Sequence, residues 1–179
     1  MIIRSSAAEE RALLKTADAI CAAVRTAPKA CGIDRMDTAI VTGTEKSEIA
    51  DEMRHMSEEY GDWHMARDAQ NIDVCGLVIL IGIREAPRGI GRACGLCHFK
   101  DCADAVKNGS GCVFDSLDLG IAVGSAAALA ADMRIDNRIM FTVGKAAAKM
   151  GLLGDCGLII GLPLSISGKS PFFDRGVDA

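Results

Sequence analysis

Aromatic residues are scarce in this chain. Only 4% of its 179 residues are Phe, Tyr or Trp, with one Trp and one Tyr, although half of the chain is hydrophobic. A core must therefore be built from Ala, Ile, Leu, Val and Met, and at this length one domain spanning residues 1–179 is expected. Basic clusters are missing too. Twenty Lys and Arg face 24 Asp and Glu, a net charge of −4, and the lack of a basic patch argues against a binder of nucleic-acid phosphates. The longest apolar run, residues 119–131, contains Ser125 and falls short of the roughly 20 residues that cross a bilayer. With no secretory leader in view, a cytoplasmic protein is expected. Repeats, linkers and low-complexity segments are absent, and no Ser/His/Asp or paired-carboxylate arrangement stands out.

Cysteine, in contrast, is plentiful. Of eight, four crowd together as Cys94-Gly-Leu-Cys97-His-Phe-Lys-Asp-Cys102 and then Cys112, a C-x2-C-x4-C-x9-C spacing. Thiolates select iron–sulfur clusters or zinc, and a 4Fe–4S cluster takes four of them. Structural zinc usually shows two short pairs held well apart. Here one pair is followed by gaps of four and nine, which suits a compact cubane better, with a zinc-stabilised module as the rival. Disulfides are disfavoured in a reducing compartment. Gly95 lets the backbone wrap between ligands, and Gly109 and Gly111 free the chain to return Cys112. Of the remaining cysteines, Cys21 lies on an Ala-rich helical pattern, and Cys75 and Cys156 open apolar runs. Such residues pack as small hydrophobes. Cys31, beside Gly32, is the one held open as a reactive thiol. Arg84, Arg88 and Arg92 precede the cluster and either offset its charge or belong to a solvated loop.

Hydrophobic periodicity supplies the rest. A capping box at Ser6-Ala-Ala-Glu9 opens a helix over 7–27, and a β-branched run at 38–42 reads as a strand. Thr44 caps an acidic helix ending near Tyr60. This helix carries most of the seven carboxylates that oppose Lys46 and Arg54 in residues 45–62, which reads as a solvated face. A helix over 63–71 and an apolar strand over 77–83, buried on both faces, come next. Residues 84–112 form a loop with one helical turn after Phe99. Asp115 or Ser116 then starts a helix apolar on nearly all sides, expected to run through the interior to Ala131 with its N-terminus facing the cysteines. A helix over 142–151 and a strand over 156–161 complete the order. Asp132, Asp136, Asn137 and Arg138 read as capping plus a salt bridge. Three or four strands sandwiched by helices make an α+β, three-layer α/β/α domain in which 84–114 is an embedded cluster-binding segment.

Two motifs are decoys. Gly168-Lys169-Ser170 ends like a Walker A loop, but Pro163 stands where the first glycine belongs and only nine residues follow, so an NTPase is rejected and a weak anion-holding role survives. Gly89-Ile-Gly91 has its third glycine one position late for a dinucleotide fingerprint. His98 adjoins a ligand cysteine and is a candidate hydrogen-bond partner of the cluster.

Three resemblances follow from these residues. The C-x2-C-x4-C run with a distant fourth cysteine resembles the small 4Fe–4S domain of the Rnf B subunit and of corrinoid iron–sulfur proteins. Nearly the whole chain resembles a family of uncharacterised prokaryotic proteins containing a ferredoxin domain. The residues carrying this are Arg25-Thr-Ala-Pro-Lys29, Arg67-Asp-Ala, Cys94-Gly-Leu-Cys97, Asp118-Leu-Gly-Ile-Ala122, Asp136-Asn-Arg-Ile-Met140, Gly161-Leu-Pro-Leu164 and Ser167-Gly-Lys-Ser-Pro-Phe-Phe-Asp-Arg175. Finally, Arg25-Thr-Ala-Pro28 and Asp118-Leu-Gly-Ile-Ala122 resemble the flavin entry and central dimer helix of nitroreductase-like proteins. That last likeness implies a homodimer and, if FMN binds, contacts from Arg25, Lys29 and Lys169. The Arg-x-Ser-x-Arg phosphate motif of those proteins is missing from the N-terminal arm, and Gly32-Ile-Asp34 replaces their Asn-Gln-Pro. The expectation is an iron–sulfur redox protein with one 4Fe–4S cluster on Cys94, Cys97, Cys102 and Cys112, passing electrons to a flavin, a substrate or a redox partner protein.

Overall fold

A four-stranded antiparallel sheet separates two layers of helices in the computed structural model, which describes residues 1–173. The strands β1 (Met36–Val41), β2 (Leu77–Ile83), β3 (Asp136–Asn137) and β4 (Leu158–Ser165) lie in the order β1-β2-β4-β3. All seven residues of β2 are buried, because successive side chains of a strand point to opposite faces and both faces here carry helices. Val78 and Leu80 join a core with α2 (Gly43–Tyr60), α3 (Trp63–Val74) and α6 (Phe141–Lys149). Leu77, Ile79, Ile81 and Ile83 join the other, with α1 (Ser5–Thr26) and α5 (Val113–Asp132). Leu13, Ala17, Ile20 and Val24 form the buried stripe of α1 at helical spacing. On the opposite layer, α6 settles directly on β4 because Gly144 has no side chain. A methyl group there would collide with the Ile159 carbonyl.

The expected elements are present, with informative shifts. Residues 1–12 are exposed, so nothing fixes a capping box, and α1 starts at Ser5 without a side-chain cap. Thr44 lies inside α2, whose cap position is Thr42. The last strand begins at Leu158, opposite Ile83, and continues past Pro163 to Ser165, since Leu162 and Leu164 are fully buried. Asp136 and Asn137 neither cap nor form a salt bridge. They make the edge strand β3 against Ser165 and Leu164, while Arg138 donates to the Phe172 carbonyl at 2.9 Å and lies over the Phe173 ring. The acidic helix is a solvated face as expected, with Glu52 and Glu59 each 2.9 Å from Lys149.

Helix α5 departs most from expectation. It begins at Val113, so its 20 residues are long and apolar enough to cross a membrane by length and composition. Its buried face, however, carries Asp115 and Asp118 and packs against the sheet and α1. Its other face is not interior. Leu117 and Ile121 are 47% and 45% exposed, and Gly120, Gly124 and Ala128 lie beside them in the open.

Candidate metal centre

Between β2 and α5 the chain leaves the sheet for 29 residues (84–112), of which only Arg88 and Ala105 are buried. Gly95 adopts a φ of 62° between Cys94 and Cys97, a conformation costly to any residue with a Cβ. The Cys94 amide donates to Gly91 at 3.2 Å and the His98 amide to Gly95 at 3.2 Å, closing two successive turns. Cys102 opens the short helix α4 (Cys102–Lys107), whose cap Asp101 accepts from the Asp104 amide at 3.0 Å. Gly109 turns the chain back with a φ of 68°, whereas Gly111 has no positive φ. Cys112 is the cap residue of α5, so the helix N-terminus begins beside its sulfur, with the partial positive charge that favours anions.

These turns bring Cys94, Cys97, Cys102 and Cys112 to the wall of one narrow pocket, closed by Arg88, Ile90, Leu96, Phe99, Val113 and Phe114 among others. Among the described residues no three His, Cys, Asp or Glu side chains converge closely enough to hold a single metal ion. His98 is exposed and does not line it.

The three arginines part company here. Arg84 and Arg92 are exposed, whereas Arg88 is 6% exposed and lines the cysteine pocket. Its guanidinium lies 2.7 Å from Asp115 and 2.7 Å from Asp118, and also donates to the Ala86 carbonyl at 3.0 Å. Burial disfavours the charge, but the Asp118 hydrogen bond and both carboxylates outweigh it and raise the Arg88 pKa. The carboxylates are themselves anchored. Asp115 accepts from the Ala86 amide at 3.1 Å, and Asp118 from the Ala30 amide at 3.0 Å. The pairing thus ties the cysteine loop, α5 and the turn after α1 together. That turn, Pro28-Lys29-Ala30, borders a second pocket of about 510 Å³, mouth included, and Phe114 lies in the walls of both.

The residues expected to meet FMN are otherwise engaged. Arg25 pairs with Asp34 at 2.5 Å and donates to the Met36 carbonyl. Lys29 Nζ donates to the carbonyls of Val24, Arg25 and Ala27 at 2.7–3.1 Å, satisfying the open end of α1. Lys169 follows the end of β4 paired with Leu77, whereas Arg25 contacts Met36, which pairs with Ile83 at the other end of the sheet. Within one chain Lys169 is therefore not brought to Arg25 and Lys29. No helix follows Gly168-Lys169-Ser170 among the described residues, and Asp174 and Arg175 of the tail motif lie outside them.

Cys75 and Cys156 are core residues. Burial pushes the Cys75 thiol up to about 11, and burial likewise raises that of Cys156. Cys31 is exposed. Sequence reasoning missed the pairing of Arg88 with Asp115 and Asp118. The available signal was two carboxylates three apart on an otherwise apolar helix, which demand a buried cation.

Comparison with known proteins places the chain. Residues 108–175, which include Cys112 but not the other three pocket cysteines, match the family described as "uncharacterized protein containing a ferredoxin domain (DUF2148)". An uncharacterized protein of Archaeoglobus fulgidus is 40% identical over 159 residues, 84% of this chain and 85% of that one. The chain belongs to this family. Its fold is nitroreductase-like. The chain is similar in structure to the nitroreductase CinD from Lactococcus lactis in complex with nicotinic acid, with a TM-score of 0.57 and 18% identity, covering 90% of this chain and 84% of that one. The NADPH:FMN oxidoreductase of Vibrio harveyi gives 0.56 and 12%, covering 90% of this chain but only 63% of that enzyme. A nitroreductase with bound FMN from Desulfitobacterium hafniense gives 0.55 and 14%, covering 87% and 78%.

Proposed function

We propose that this is an iron–sulfur redox protein that holds one 4Fe–4S cluster on Cys94, Cys97, Cys102 and Cys112. The observation that carries this reading is the single pocket lined by all four cysteines. A structural zinc needs four ligands at about 2.0–2.3 Å from one point, and no three candidate ligands among the described residues converge on a single ion. A cubane instead spreads its four thiolates over four irons. The α5 N-terminus favours an anionic occupant, and all eight cysteines are free of disulfides, which suits a cytoplasmic protein. When bound, the cluster supplies one-electron transfer. The chain's own part is to hold it with thiolates, shield it with Ile90, Phe99 and Phe114, and fix its distance from the Pro28–Ala30 pocket.

In the enzymatic version of this reading, an FMN or substrate would sit in that second pocket, which shares the Phe114 wall with the cysteine pocket. A homodimer is part of the proposal. The exposed face of α5 is apolar, and Gly120, Gly124 and Ala128 would let a second α5 approach closely. Lys169 would then reach a flavin only from the second copy. The engagement of Arg25 and Lys29 favours the rival version, a carrier or sensor that docks a redox partner protein and binds no flavin. Residues 1–179 act as one domain in both, with 84–114 embedded.

The test is the visible spectrum of protein purified without oxygen, before and after dithionite. A broad brown band that bleaches is expected, and structured yellow bands besides would favour the flavin version. Cys94→Ser and Cys102→Ser should lose iron and sulfide while Cys21→Ser and Cys156→Ser keep them. A sample that stays colourless after anaerobic reconstitution with iron and sulfide would overturn the cluster and leave a zinc-stabilised module.

A further inference from the structure

Arg88 contains an unexplained atom. Its Nε lies buried without a hydrogen-bond partner, as does Asp115 Oδ1, which sits 2.7 Å from Nη1 without hydrogen-bond alignment. Nη1 donates to the Ala86 carbonyl and Nη2 to Asp118. A buried donor left unmade costs about 1–3 kcal/mol, more when charged. Chains rarely bury an arginine this deeply only to leave one edge unsatisfied. The side chain forms part of the wall that carries the four cysteines, so the missing acceptor has an obvious place.

We propose that Arg88 is a positioning and tuning residue for the cysteine centre, donating Nε–H to a sulfur of the pocket's anionic occupant. The proposal rests on the cluster reading above and deepens it. Asp115 and Asp118 hold the two terminal nitrogens of the guanidinium, which leaves Nε as the edge that can donate. Their two negative charges against the one positive charge of Arg88 leave the triad net negative beside the occupant. Hydrogen bonds to cluster sulfurs and nearby charge are recognised determinants of reduction potential. A donor at Arg88 stabilises the more negative, reduced state, and the carboxylates oppose it. The two kinds of residue should therefore move the potential in opposite directions, and the charge-conserving Arg88→Lys change separates the hydrogen bond from the charge alone.

The experiment is a potentiometric titration of the anaerobically reconstituted full chain, with iron and sulfide content and the low-temperature EPR of the reduced form measured on each sample. Arg88→Lys keeps the charge but loses the planar fork. It is expected to retain iron, shift the midpoint to a more negative potential and change the EPR signal. Asp118→Asn is expected to shift the midpoint to a more positive potential. An Arg88→Lys protein with full iron content and an unmoved midpoint overturns the proposal. If Arg88→Lys does not fold or loads no iron, Asp118→Asn decides, and a midpoint unmoved or shifted negatively overturns it. Failure of the underlying reading is distinguishable because wild-type protein would then take up no iron before any variant is compared.

Discussion

The body and the cysteine loop of this protein are held by different physics. The body has two apolar cores on the faces of one sheet, and its central strand is buried along its whole length. The loop spans 29 residues with two buried side chains, and one of those is a charged arginine. A segment that buries so little apolar surface cannot offset its own conformational entropy by hydrophobic contact. Its order must come from the Arg88 pairing and, under the proposed cluster, from thiolate ligation, so that metal binding and local folding would be one event there.

Removing the metal should give the largest effect. Amide exchange in residues 84–112 is expected to accelerate by orders of magnitude in chelator-treated protein, while β2 and β4 keep their protection. Equal protection in both forms would erase the distinction. The converse is Leu80→Ala, which opens a cavity in the body and should cost about 2–5 kcal/mol in denaturant unfolding without lowering iron content per folded molecule. Ile121→Glu, on the open face of α5, is expected to convert a dimer to a monomer by light scattering with little change in the unfolding midpoint of the diluted protein. A monomeric wild type would remove the dimer from the proposal. The smallest effect concerns Cys75. Its thiol is raised to about 11 from an ordinary 9, so the folded state keeps its proton where the unfolded state loses it, and stability should fall as pH rises from about 9 to 11. At pH 8 Cys75 should resist iodoacetamide while Cys31 reacts.

Much of the body was legible because burial leaves a periodic trace. The run Leu77–Ile83 was recognised to the residue, since unbroken hydrophobicity over seven positions suits only a strand covered on both sides. Helices α1, α2 and α6 were displaced by only a residue or two, because caps are weak signals where the first turn is exposed. The two-residue strand β3 left no trace. Its pairing with Ser165 and Leu164 is a non-local contact that no propensity encodes. The cysteine set was legible by spacing, yet Arg88 could not be told from Arg84 and Arg92. Three arginines in one loop have the same local chemistry, and only the fold decides which one enters the interior.

The sequence by itself determined the alternation of helices and strands, the apolar character of α5 and the presence of four clustered thiols. Each is written in local pattern and in side-chain chemistry. The tertiary structure decided that α5 keeps one apolar face open, that Lys29 closes α1, and that Asp118 joins Arg88 to the turn at Ala30. Those outcomes depend on which residues distant in the chain meet, because a buried charge must find partners wherever the packing supplies them.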